Sequence, residues 1–257
     1  MRRYQAFPVL PVALLALVSC GGGAPAPAAA PAGRRVDPAT AGTIAGRVVY
    51  TGTVPAPDRL RMHTDPACVT AAGPSPASEA IVVAADGGVK NAYVHITNGL
   101  DASYTFDLPA TEVFLDQKGC VYVPRVAGVR VGQPITIANS DPTLHNVHAI
   151  PMINAEFNHG QPTQGMKNTK TFSAPEVMVP FKCNVHAWMT AYVGVSSHPY
   201  FAVTPESGAF SIGNVPPGTY TIEAWHEAFG TEKATVTVGE KQSQAITLTF
   251  ETIAGGK

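Results

Sequence analysis

Charge is scarce in this chain. Asp, Glu, Lys and Arg make up 14% of its 257 residues, against roughly 25% in an ordinary soluble domain. The 17 basic residues are matched by 18 acidic ones. A near-neutral chain with no basic excess argues against a nucleic-acid partner, whose binding rests on neutralising phosphates. Helical patterning is missing too: no segment repeats its apolar residues as an amphipathic helix of about twelve residues or more would. A helical turn near Asp65–Ala71 or within 151–170 is compatible with the pattern. Enzyme signatures are also lacking. There is no Gly-x-Ser-x-Gly, no His-Glu-x-x-His and no Cys-x-x-Cys-His. Trp225-His226-Glu227 offers one imidazole and one acid without a partner set. No enzyme is read from the sequence.

What is abundant is Gly and Pro, 24 and 23 residues, beside a 45% apolar fraction. That apolar content excludes wholesale disorder. Many turn residues with few charges point to short strands. Alternating segments recur from Thr43 onward, among them Gly42–Tyr50, Ile135–Asn139, Val177–Lys182 and Ala191–Ser196. The fold class expected is all-β, a sandwich or barrel.

The first twenty residues, MRRYQAFPVLPVALLALVSC, carry Arg2 and Arg3 ahead of an apolar run from Phe7 to Val18. That run falls short of the ~20 residues of a membrane span and has the form of a signal-peptide core. Its end, Leu17-Val18-Ser19-Cys20, resembles the bacterial lipoprotein signal. The resemblance implies removal of residues 1–19, a lipid on Cys20 and an exported protein held at a membrane. The alternative is an ordinary secretory signal with an incidental cysteine. Gly21 supplies no acidic inner-membrane retention signal, which favours the outer membrane. Residues 20–41, rich in Gly, Ala and Pro, read as a flexible tether.

Two composition blocks follow. Gly208–Ile212 with Val215-Pro216-Pro217-Gly218-Thr219-Tyr220 resembles the carboxypeptidase regulatory-like, or transthyretin-like, sandwich, as do Gly42–Tyr50 and Val89–Thr97. The resemblance brackets the middle of the chain. It implies one sandwich built from 42–110 and 198–257, with a second module, 111–197, inserted in or beside it.

The middle module carries His145-Asn146-Val147 and Cys183-Asn184-Val185-His186-Ala187-Trp188-Met189. A thiolate, two imidazoles and a weak thioether form the donor set of a mononuclear blue copper site. Thiolate favours Cu(I), imidazole serves both oxidation states, and a weak axial thioether lets the ion change charge with little rearrangement. Cys-x2-His-x2-Met places three donors in one turn between two strands, and His145 follows the strand Ile135–Asn139. Residues 112–197 resemble a cupredoxin, a small copper electron carrier of the plastocyanin and amicyanin kind. The resemblance implies a Greek-key sandwich, Cys183, His145 and His186 as strong ligands, Met189 as axial ligand, and Asn146 as the residue that fixes the ligand turn. It places His186 near the surface in an apolar patch with Ala187 and Trp188; packing is the other reading of Trp188. His148 is a rival ligand, although residues three apart on a strand point to opposite faces.

With Cys20 assigned to lipid and Cys183 to copper, Cys68 and Cys120 remain. In an oxidising compartment two spare thiols are expected to pair; two buried free thiols are the alternative. No second Cys follows at binuclear-copper spacing, and no His-x-His pairs of a multicopper oxidase occur. The function expected is single-electron transfer between redox partner proteins of the cell envelope. The alternatives are copper storage or delivery, a domain of this shape holding another ion, and a metal-free surface module for carbohydrate or protein.

Overall fold

The computed structural model describes residues 33–253. The signal segment and Cys20 lie outside them. In chain order the elements are β1 (Gly42–Tyr50), a short helix α1 (Pro66–Ala72), β2 (Tyr93–Asn98), β3 (Val113–Gln117), β4 (Tyr122–Val123), β5 (Val126–Arg130), β6 (Ile135–Asn139), β7 (His145–Ala149), β8 (Phe157–Gln161), β9 (Lys167–Lys170), β10 (Glu176–Lys182), β11 (Thr190–Ser196), β12 (Phe201–Val203), β13 (Ala209–Val215), β14 (Gly218–His226), β15 (Gly230–Val238) and β16 (Ser243–Phe250). The protein is all-β, and its four sheets form two sandwiches.

The first sandwich pairs the sheet β13-β1-β16 with the sheet β12-β2-β14-β15. β1 shows why its sequence makes a strand here: Ile44, Val48 and Tyr50 turn inward while the residues between face out or half out. They meet Ile222, Leu248 and Phe250 in one core, each buried side chain contributing about 1.5–3 kcal/mol. The Pro216-Pro217-Gly218 turn is closed by Tyr220, whose hydroxyl donates to the Pro216 carbonyl at 2.6 Å. Residues 33–41, which composition assigns to the tether, are held against this part of the fold. Arg34 N–H donates to Ser103 O at 2.8 Å, and Arg35 pairs with Asp107.

The second sandwich pairs β5-β11-β10-β7-β8 with β4-β3-β6-β9. Its core holds Leu115, Ile137, Val147, Phe181 and Val193. β6 is buried at every position, so its side chains pack on both faces. Met62 and Cys68 also belong to this core, so α1 and the turn before it cover the second sandwich although they lie within 42–110. The segment 151–171 contains two whole strands: β8 runs antiparallel to β7 and β9 to β6. Its mixed polar composition hides that pairing from a pattern search.

The two sandwiches meet sheet to sheet. Tyr93, Val126 and Met178 form a small cluster with Tyr192, Phe201 and Trp225 between them. Arg125, ahead of β5, forks onto Glu227 in the β14–β15 turn, with Nη2 donating to Oε2 at 2.7 Å. Trp225-His226-Glu227 is thereby accounted for structurally. Trp225 packs on Tyr192, His226 stacks on Phe229, and Glu227 holds Arg125.

Candidate metal centre

β7 begins with His145, and Cys183 follows the last residue of β10. The two strands pair antiparallel, Phe181 opposite Ala149 and Lys182 opposite His148, which brings the start of one beside the end of the other. Beyond Cys183 the chain turns back through two backbone bonds. Met189 N–H donates to His186 O at 2.9 Å, and Cys183 N–H donates to Met189 O at 3.3 Å. The turn therefore holds Cys183, His186 and Met189 on one short closed loop, with Met189 buried.

His145, Cys183 and His186 offer ligand atoms that all lie within 4.8 Å of one another, and all three residues are buried. The Nδ1 atoms of His145 and His186 face each other at 3.0 Å. Cys183 Sγ lies 3.9 Å from His186 Nδ1. Asn146 clasps the turn: its Oδ1 accepts from Asn184 N–H at 2.7 Å, and its Nδ2 donates to Asn158 Oδ1 at 2.8 Å.

Behind each imidazole stands a carboxylate. Asp141 Oδ2 lies 3.0 Å from His145 Nε2, and Asp65 Oδ2 lies 3.0 Å from His186 Nε2. Both acids are built in firmly. Asp141 accepts from Gly119 and Cys120 N–H at 2.7 and 2.8 Å. That cradle needs two successive left-handed residues, Gly119 at φ 67° and Cys120 at φ 55°, a conformation that glycine adopts most freely. Asp65 caps α1, accepting from Ala67 N–H at 2.8 Å ahead of Pro66, and its other oxygen accepts from Thr143 Oγ1 at 2.9 Å. Asn139 steadies the same turn, its Oδ1 accepting from Asp141 N–H and its Nδ2 donating to Thr143 O, both at 2.9 Å.

This shell sets the chemistry. An imidazole that gives its Nε2–H to a carboxylate presents Nδ1 as a lone pair. Two such lone pairs 3.0 Å apart beside a sulfur need a proton or a cation between them. The donor set fits a soft or borderline metal ion: one thiolate, two imidazole nitrogens and a buried thioether residue. Burial would raise the Cys183 thiol, but hydrogen bonds from His145 and His186 outweigh it and bring its pKa down to about 5. Burial likewise opposes a charge on His145, yet the Asp141 and Cys183 partners raise its pKa to about 9. Both shifts run toward the charged forms, a thiolate at Cys183 and an imidazolium at His145.

A disulfide joins Cys68 to Cys120 across the centre. It ties α1, which carries Asp65 at its cap, to the β3–β4 turn that cradles Asp141. Cys68 Sγ lies 3.7 Å from His186 Nε2. His186 is 3% exposed, where the resemblance places it at the surface. The covering segment, inserted between β1 and β2, is the physical reason. Ala187 is exposed, and Trp188 is half-buried with its indole N–H donating to Cys120 O at 2.9 Å. His148 is not brought to the cluster: its Nδ1 lies 3.1 Å from Asn184 Oδ1 and its Nε2 lies 2.6 Å from Glu156. Asp65 and Asp141 escape the sequence reading. The local signals for them are the Asp-Pro at the α1 cap and the acid four residues ahead of His145.

A family model described as polysaccharide lyase family 4, domain II, matches residues 167–246. No curated protein sequence matches the chain. A solved structure titled a novel purple cupredoxin from Nitrosopumilus maritimus is 21% identical; the match covers 33% of this chain and 100% of that one, at a TM-score of 0.29. A mutant amicyanin in its Cu(I) form is 20% identical over 40% of this chain and 98% of its own, at 0.30. A Cu-containing nitrite reductase from Thermus scotoductus SA-01 is 18% identical over 58% of this chain and 28% of its own, also at 0.30. No helix among the described residues is long and apolar enough to cross a membrane.

Proposed function

We propose that the second sandwich holds a single copper ion and passes single electrons. His145, Cys183 and His186 would hold it strongly and the Met189 thioether weakly. The observation that carries this reading is the pair of Nδ1 atoms facing each other at 3.0 Å, each imidazole fixed from behind by a carboxylate, with a depressed-pKa thiolate beside them. Copper bound there supplies a one-electron couple. The chain's own residues do the rest. Asp65 and Asp141 fix which nitrogen of each ring is free, Asn146 holds the thiolate turn, and the packed core keeps water away.

On this reading the protein is a carrier and not an enzyme. It is exported, with a lipid on Cys20 holding it on the periplasmic side of a bacterial membrane or at the cell surface, the outer membrane favoured. Redox proteins of the envelope are its partners, and the first sandwich, regulatory-like in its motifs, serves as scaffold. Voltammetry of the copper-loaded protein tests the function: a reversible one-electron wave is expected, and an electrochemically silent copper protein contradicts transfer. A second reading, copper storage or delivery, is favoured by one observation. The loop ligand His186 is covered by Asp65 and the disulfide, an arrangement that retains an ion. Slow electron self-exchange combined with very slow copper release supports it over the first.

A further inference from the structure

His186 is closed off at the edge where an electron would reach solvent, since Asp65 takes its Nε2 and α1 with Cys68 lies over it. Its ring has another neighbour. Trp188 lies 4.9 Å from His186 between ring centroids, tilted by 40°, and its indole is pinned to Cys120 O. Trp188 also lines a surface cleft of about 690 Å³ together with Arg59, Leu60, Arg61 and Ala187. Electron tunnelling decays steeply with distance and faster across gaps than through packed atoms, so the indole is the bridge from the buried ligand to the surface. The rim is cationic. Arg59 and Arg61 are both exposed, with Asp58 alone as an acid in the lining.

We propose that this cleft is the electron port of the centre, and that it docks the acidic face of a partner protein carrying a one-electron redox group. This rests on the copper reading above. One electron leaves the reduced centre through His186 and Trp188 and reduces the partner's oxidised group; no bond forms or breaks and no proton moves. Opposite charges at the rim raise the encounter rate and orient the partner over Trp188.

Two measurements test the port. In the first, the full protein kept reduced with ascorbate is titrated with hexacyanochromate(III), an inert paramagnetic anion, and followed by nitrogen–proton NMR. Broadening is expected at the Trp188 indole N–H and the amides of residues 59–61, and its loss in Arg59→Glu/Arg61→Glu. Broadening centred elsewhere, or unchanged in the variant, overturns the port. In the second, the reduced copper form is oxidised at low salt. With hexacyanoferrate(III) the double variant is expected to slow by about tenfold or more, and Trp188→Leu to slow against Trp188→Phe. An acidic one-electron carrier protein is expected to react faster than a basic one, with the order reversed in the double variant; equal rates overturn the protein partner. A chain that holds no cycling copper but shows the NMR map defeats the copper reading and leaves the docking surface standing. A cycling centre with the map elsewhere defeats the port.

Discussion

His145 and His186 face one another through Nδ1 at 3.0 Å, and each turns its Nε2 to a different carboxylate. Those acids come from separate parts of the chain, Asp141 from the turn before β7 and Asp65 from the cap of α1. On the proposed copper reading, each acid is a determinant of metal affinity. Asp65→Asn and Asp141→Asn should each weaken copper binding by about 10–100-fold, measured by competition with a chelator of known affinity. Unchanged affinity in both would show that the rings are oriented by packing alone.

The Cys68–Cys120 bridge closes a separation of 52 residues. On the chain-entropy account a loop of that size stabilises the fold by about 4 kcal/mol. Denaturant unfolding of Cys68→Ser/Cys120→Ser should show a loss of that order. Full-length, unlipidated protein denatured without reductant should titrate two of its four cysteines, Cys20 and Cys183; four reactive thiols would contradict the bridge.

Arg125 and Glu227 join the two sandwiches as a forked pair, with side chains 14% and 10% exposed. Arg125→Ala leaves a nearly buried carboxylate without its partner. A loss of about 3 kcal/mol in unfolding free energy is expected, with His145, Cys183 and His186 untouched. The double variant Arg125→Met/Glu227→Leu should recover most of it. A single variant as stable as the parent would mean that the apolar contacts of Trp225 and Tyr192 carry the junction.

His226 is buried against Phe229, and burial holds its pKa down to about 4 from an ordinary 6.5. Between those values the unfolded chain binds the proton and the folded chain does not, so stability rises with pH across that window. The contribution is complete above pH 6.5 and falls by up to about 3 kcal/mol by pH 4. His198 is depressed in the same sense, chiefly by burial. His226→Phe should flatten the stability profile between pH 6.5 and 4 while leaving it unchanged at pH 8. An identical slope in the variant would assign acid lability to other groups.

Much of the architecture is legible in the sequence because strand alternation is local. Gly42–Tyr50 and Ile135–Asn139 have the same bounds in the pattern and in the fold. Cys183, His186 and Met189 are legible for a like reason: one turn holds them. β8 and β9 are not, because polar residues such as Asn158, His159, Lys167 and Asn168 gain their order from pairing with β7 and β6, not from a buried face. Asp65 reaches His186 across 121 positions, and no local pattern encodes that contact. The cover over His186 has the same origin, since the segment that makes it belongs by sequence to the other sandwich.

The most direct test of the account is the visible and electron-paramagnetic spectrum of the Cu(II)-loaded protein beside Cys183→Ser. An intense thiolate-to-copper charge-transfer band at one copper per chain, lost in Cys183→Ser and perturbed in His145→Gln and His186→Gln, is the result predicted. A colourless protein that takes up no copper, or copper whose spectrum is indifferent to Cys183, would contradict it.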